Sequence, residues 1–280
     1  MSRVNVAQVR RQVWLIIAAV VVLYGLLRLS LGPLPQDPSY HLFADTRTCF
    51  GIIPRAGDVL TNLAILAAGL FGLALRPRMT VAPEERTAVS VLIAASILTA
   101  FGSAYYHWAP ANATLVWDRL PLAIILMSGF ALVLADRVHP LFASHSIWPL
   151  TALAVVSVIV WGVLETIGKG DLLLYLIVRV GAAVAIVTLL ILRQPRHTGT
   201  RWLVMAVLCE VIMATLDRLD HEVFHLTGGV ASGHNLKHVI VGVALGLVFW
   251  WLRTRRVLSA QTDEAQAIVR GQRGLPVAGQ

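Results

Sequence analysis

His234 and His238 stand four residues apart, with Asn235, Leu236 and Lys237 between them. On a helix, positions i and i+4 stack on one face, so both imidazoles reach toward the same cation. His107, at the end of a different apolar run, would complete three nitrogen ligands. Three protein ligands with a fourth position left to water is the arrangement of a catalytic zinc ion, which brings that water's pKa down to about 7. Asp118 is then the natural acceptor of the water's proton and the later donor to a leaving amine. Ser103 lies one turn before His107 on the same helical face, where its hydroxyl could bond the water or a developing oxyanion. Each residue also has a plainer reading. Asp118, just before Leu120 and Pro121, could cap a helix; Ser103 could bond a carbonyl one turn back; a single histidine at a helix end is commonly an interfacial polar group. Convergence of all five on one side of a membrane favours a site.

Two further sets compete for attention. His221 and His225 share the i, i+4 spacing but precede Gly228 and Gly229 in a connecting segment, and read as loop residues or partners of the ligands. Arg179 and Glu210 fall inside apolar runs, where isolated charges are costly, and are expected to form a buried structural ion pair.

These residues must be positioned by membrane helices. The 280-residue chain is 57% hydrophobic and 14% charged, against about 25% charged in soluble domains, and its mean hydropathy is +0.74. Eight runs are apolar enough to form spans: 13–31, 59–75, 87–106, 120–135, 147–166, 172–192, 202–216 and 238–252. Proline and glycine punctuate the joints. The formal net charge of +8 does not imply nucleic acid, because the basic residues sit in loops and at the ends, with no basic stripe interleaved with aromatics. Eight spans put Arg76, Arg78, Arg86, Arg137, Arg193, Arg196, Arg201, Arg253, Arg255 and Arg256 on the face that also holds the N-terminal arginines, which is therefore expected to be cytoplasmic. His107, Asp118, His234 and His238 then lie at the opposite, outward-facing helix ends. The expected organisation is a cytoplasmic stub and anchor helix over 1–32, a membrane domain over 33–256 and a disordered tail over 257–280. Cys49 and Cys209 lie in very different settings, so a disulfide between them is not expected. The near absence of lysine beside abundant arginine points to a GC-rich bacterial genome, hence a bacterial inner membrane.

The order Ser103-Ala-Tyr-Tyr-His107, Asp118-Arg119-Leu120-Pro121, His234-Asn-Leu-Lys-His238 resembles the S-x-x-x-H, D and H-x-x-x-H pattern of the CREST superfamily of membrane hydrolases, which includes alkaline ceramidases and the progestin and adipoQ receptors. The segment at Asp118 is most similar to the alkaline ceramidase branch. The resemblance runs from about Asp45 to Leu252. It implies an all-α membrane bundle with a seven-helix core, the run 13–31 being an added N-terminal helix. It also implies zinc on His107, His234 and His238, with Asp118 and Ser103 beside the water. Two features depart from the ceramidase pattern. The acidic calcium-binding stretch before the first core helix is replaced here by Asp45-Thr-Arg-Thr-Cys49, with Asp58 and Asn62 beyond it as the remaining candidate calcium ligands, and the second acidic residue of the D-E-L-P run is Arg119.

The expected function is zinc-dependent hydrolysis of the amide of a ceramide-like or other N-acyl lipid drawn from the membrane. The rivals are a zinc-containing receptor or sensor, and a transporter using Glu210, Arg179 and the outer histidines. Transporters often carry internal repeats, and the sequence has none.

Overall fold

A bilayer core of about 30 Å asks for about 20 apolar residues per helix. Among the described residues, seven stretches meet that length and hydropathy: Val6–Leu31, Ala56–Arg78, Pro83–Trp108, Asn112–Arg137, Leu141–Thr166, Leu173–Leu192 and Gly233–Thr254. A computed structural model describes residues 5–258, and the architecture is an all-α polytopic bundle with no β-strand among the described residues. The helices are α1 (Val6–Leu31), α2 (Ala56–Leu60), α3 (Asn62–Leu75), α4 (Arg86–Trp108), α5 (Asn112–Arg137), α6 (Leu141–Thr166), α7 (Leu173–Leu192), α8 (Thr200–Arg218), α9 (Asp220–Leu226) and α10 (Gly233–Thr254). α8 has 19 residues, about 28 Å of helix. It falls outside the apolar set because it carries Arg201, Glu210, Asp217 and Arg218.

α10 packs on α8 and α3, α3 on α4, α4 on α5, and α5 on α6 and α7. α7 and α8, which would close the ring, scarcely touch. α1 lies outside against α6 and α7, with Val9 and Val13 as its buried residues. Its far end is tied down by Asp171, which accepts a hydrogen bond from Tyr24 at 3.2 Å and pairs with Arg28 at 3.0 Å.

The arginine-bearing loops share one end of the bundle. Arg255 pairs with Glu85 in the loop before α4, His197 with Asp136 at 2.7 Å, and Arg137 donates to Thr200 at 2.8 Å. Val257 bridges to His197 and the Leu258 amide donates to Arg196 at 2.8 Å. The tail expected over 257–280 therefore begins with two ordered residues, and 259–280 lies outside the described residues. Cys49 and Cys209 are free.

Two of the helix starts that precede their apolar runs concern the site. α10 begins at Gly233 because Ser232 caps it: the Ser232 hydroxyl accepts the Asn235 amide at 3.1 Å, and the Asn235 side chain accepts the Ser232 amide at 3.1 Å. α5 begins at Asn112, eight residues before its apolar run, with Thr114 Oγ1 accepting the Ala111 amide at 3.0 Å. Asp118 is thus not a cap but lies in the second turn, and Pro121 is inside the helix. Proline supplies no N–H to the Trp117 carbonyl one turn back. Gly102 of α4 lies against that carbonyl so closely that any side chain would press into it. This close approach, of a kind small residues permit between membrane helices, sets Ser103 and His107 of α4 beside the Asp118 region of α5.

Candidate metal centre

The three histidines come from two distant stretches of the sequence and meet in one buried cluster. Their relative exposures are 1% for His107 and 3% each for His234 and His238. One ligand atom from each can be chosen so that all lie within 4.8 Å of one another. His107 Nε2 and His234 Nε2 are 3.2 Å apart. A tetrahedral zinc with nitrogens about 2.0–2.1 Å away sets them about 3.3–3.4 Å apart, so this edge needs almost no adjustment. The ring centroids are separated by 4.7, 4.9 and 4.8 Å.

Hydrogen bonds on the far side of two rings fix which nitrogen faces inward. His234 Nδ1 is 2.8 Å from the Asp217 carboxylate, which can only accept. His238 Nδ1 is 3.0 Å from Thr61 Oγ1, whose own hydrogen goes to the Gly57 carbonyl at 2.7 Å, so the hydroxyl accepts from the ring. Both rings therefore carry their proton on Nδ1 and keep a lone pair on Nε2, the form a metal ligand takes. Phe43 walls the cluster, its ring centroid 4.8 Å from that of His107 and 4.5 Å from that of His234. The buried His107 Nδ1 has no partner among the described residues. The donor set fits a divalent cation that prefers imidazole.

Asp217 is the partner that sequence reasoning missed. It also accepts from Lys237 Nζ at 2.8 Å, and Lys237 stands between the two α10 histidines. Asp220 supports the same corner by accepting the His234 amide at 2.7 Å and the Ala44 amide at 2.8 Å. Gly233 allows this, since a side chain there would meet the Leu216 carbonyl and the Asp220 backbone. Asp217→Asn is expected to weaken metal binding about 10–100-fold, the usual cost of losing a carboxylate behind a ligating histidine; competition with a chelator of known affinity measures it.

Ser103 is buried, one turn before His107, and Asp118 is half-buried on α5. No hydrogen bond or ion pair joins either to the histidines among the described residues, although Asp118 lies close enough to Tyr106 and Lys237 for its charge to act on both. His221 and His225 fall on α9, exposed and apart from the cluster. Their segment is a short helix rather than an irregular loop.

Asp45, Asp58 and Asn62 are also brought together, all buried. Asn235 donates to Asp58 at 2.6 Å, so the group sits directly behind His234. Burial pushes the Asp45 carboxyl up, but hydrogen bonds from the Arg47 side chain and amide and from Asn235 outweigh it and hold Asp45 below its ordinary value. Arg47 covers both Asp45 oxygens, at 2.8 and 2.6 Å. Asp58 Oδ2 and Asn62 Oδ1 are buried without partners among the described residues. Calcium takes about six to eight oxygens; Asp45, Asp58 and Asn62 bring three oxygen-bearing side chains together, with the Arg47 guanidinium on Asp45.

Arg179 and Glu210 do not form the ion pair expected of them among the described residues. Both are exposed, on α7 and α8, which stand apart.

No family model, curated protein or solved structure matches the chain.

Proposed function

We propose that this integral membrane protein is a zinc-dependent amidase of the CREST type, nearest the alkaline ceramidase branch, that hydrolyses an N-acyl lipid to a fatty acid and an amine. The observation that carries this reading is the three-histidine cluster, with two rings oriented by Asp217 and Thr61 so that their lone pairs face one point. When bound there, zinc would supply Lewis acidity and bring a coordinated water's pKa to about 7. Asp118 takes the proton of the attacking water and delivers it to the departing amine, so that the carbon–nitrogen bond breaks to a neutral amine. Ser103 donates to the carbonyl oxygen as negative charge builds on it. Phe43 and the buried rings keep bulk water away from these steps. The weak contact between α7 and α8 offers the lipid a sideways path from the bilayer.

We place both termini on the cytoplasmic side of a bacterial inner membrane and the histidines near the outer face, because the arginine-bearing loops share the opposite end of the bundle. The test is release of free fatty acid from ceramide and N-acylethanolamines of matched chain length by zinc-loaded protein. Release that stops on chelation and returns with zinc is expected; no release from any amide would overturn the assignment.

A further inference from the structure

Two arginines occupy positions where a membrane bundle seldom keeps a charge. Arg119 of α5 is 6% exposed. Its guanidinium carbon stands 4.3 Å from the Trp161 ring centroid, 5.0 Å from that of Tyr175 and 5.3 Å from that of Tyr40. NH2 donates to Gln36 at 2.7 Å, but NH1 is buried with no partner among the described residues. Arg179 lies one turn beyond Tyr175 on α7, on the same helical face. It is exposed, on a helix that scarcely touches α8. Tyr175 thus has Arg119 against its ring and Arg179 one turn along its own helix.

Neither arginine forms an ion pair among the described residues. Glu165, which shares Trp161 and Gln36 with Arg119, is engaged by Trp161 Nε1 at 3.0 Å, the Gln36 amide at 3.3 Å and Asn112 Nδ2 at 3.0 Å. A cation at membrane depth is costly without a partner and marks a ligand path by default. Guanidinium is also the side chain best shaped for carboxylate and phosphate. The cluster adjoins the metal centre: Tyr106, next to His107, meets His41 at 2.8 Å, and His41 meets Asn112 at 2.9 Å. It therefore sits at the end of the bundle where a headgroup, not an acyl tail, would lie.

We propose that Arg179, with Arg119 behind Tyr175, binds an oxyanion on the amine side of the lipid amide, so that the preferred substrates are N-acyl lipids carrying a carboxylate or a phosphate. This rests on the amidase reading for turnover, whereas the anion site itself does not.

Zinc-loaded protein is given N-oleoylglycine, N-oleoylethanolamine and its phosphate ester, which share one acyl chain and one amide bond. The anionic substrates are expected to be favoured over the neutral one by about tenfold or more in kcat/KM, and Arg179→Gln to reduce that ratio about tenfold. Arg179→Lys, which keeps the charge, should retain part of the preference. The ratio between the carboxylate and phosphate substrates distinguishes the two sources of the oxyanion. Independently of turnover, hexadecyl phosphate should raise the melting temperature of the wild-type protein more than hexadecanol does, and Arg179→Gln should remove the difference. Cleavage of neutral and anionic amides alike, unchanged in Arg179→Gln, would overturn the anion site and leave the amidase standing. Arg179-dependent binding of hexadecyl phosphate without cleavage of any amide would overturn the amidase and leave the anion site standing. Neither binding nor cleavage would overturn both.

Discussion

His238→Ala is expected to leave the purified protein without tightly held zinc and without amide hydrolysis. The variant removes one of three buried nitrogens and leaves His107 and His234 as a two-ligand site. Losing a partner behind a ligand costs about 10–100-fold in affinity, and losing the ligand itself costs more. Turnover should fall at least about a thousandfold, since the water and the electrophile are lost together. His238 is buried and bonded to Thr61, so the cavity left behind also lowers stability. His238→Gln fills more of that space and should show the same loss of metal with a smaller change in melting temperature. Metal content after dialysis and fatty acid release are the two readouts. Full zinc occupancy with unchanged hydrolysis would remove His238 from the site.

The second large effect is expected at Asp118. Asp118→Asn keeps the size and removes the proposed base, so kcat should drop about 10²–10⁴-fold, the usual worth of a positioned general base, while zinc content stays at the wild-type level. Asp118 is half-buried and has no hydrogen-bond partner among the described residues, so the substitution should cost little stability. This separates an enzyme from a sensor that keeps the metal for structure: a sensor would tolerate the change. Undiminished kcat would transfer the proton role to another group, with Asp217 the nearest carboxylate to the rings.

What the sequence made legible follows from how local each signal is. The i, i+4 spacing of His234 and His238 is a property of one helix, and α10 delivers it directly. His107 could be joined to that pair from sequence only through topology, and the structure brings it to 3.2 Å from His234. The polar turns ahead of α5 and α10 were invisible to an apolar pattern because caps and a capping box, not hydrophobicity, begin those helices. The alternative reading of Asp118 as a helix cap falls away, because it lies in the second turn of α5. Asp217 left only a faint trace, a carboxylate near the end of an otherwise apolar run, because its pairing with His234 crosses between α8 and α10. The expected Arg179–Glu210 pair failed for the converse reason. Charge and depth matched along the sequence, but the separation of α7 and α8 is a tertiary fact that neither helix encodes alone.

One divalent cation is expected at the point on which the three imidazoles converge. Metal analysis of the purified full-length protein, with X-ray absorption at the metal edge, tests this directly. The expected result is one zinc per chain in a shell containing three histidine nitrogens at about 2.0–2.1 Å. Protein that remains folded and carries no stoichiometric metal, or that binds zinc through ligands other than His107, His234 and His238, would contradict it.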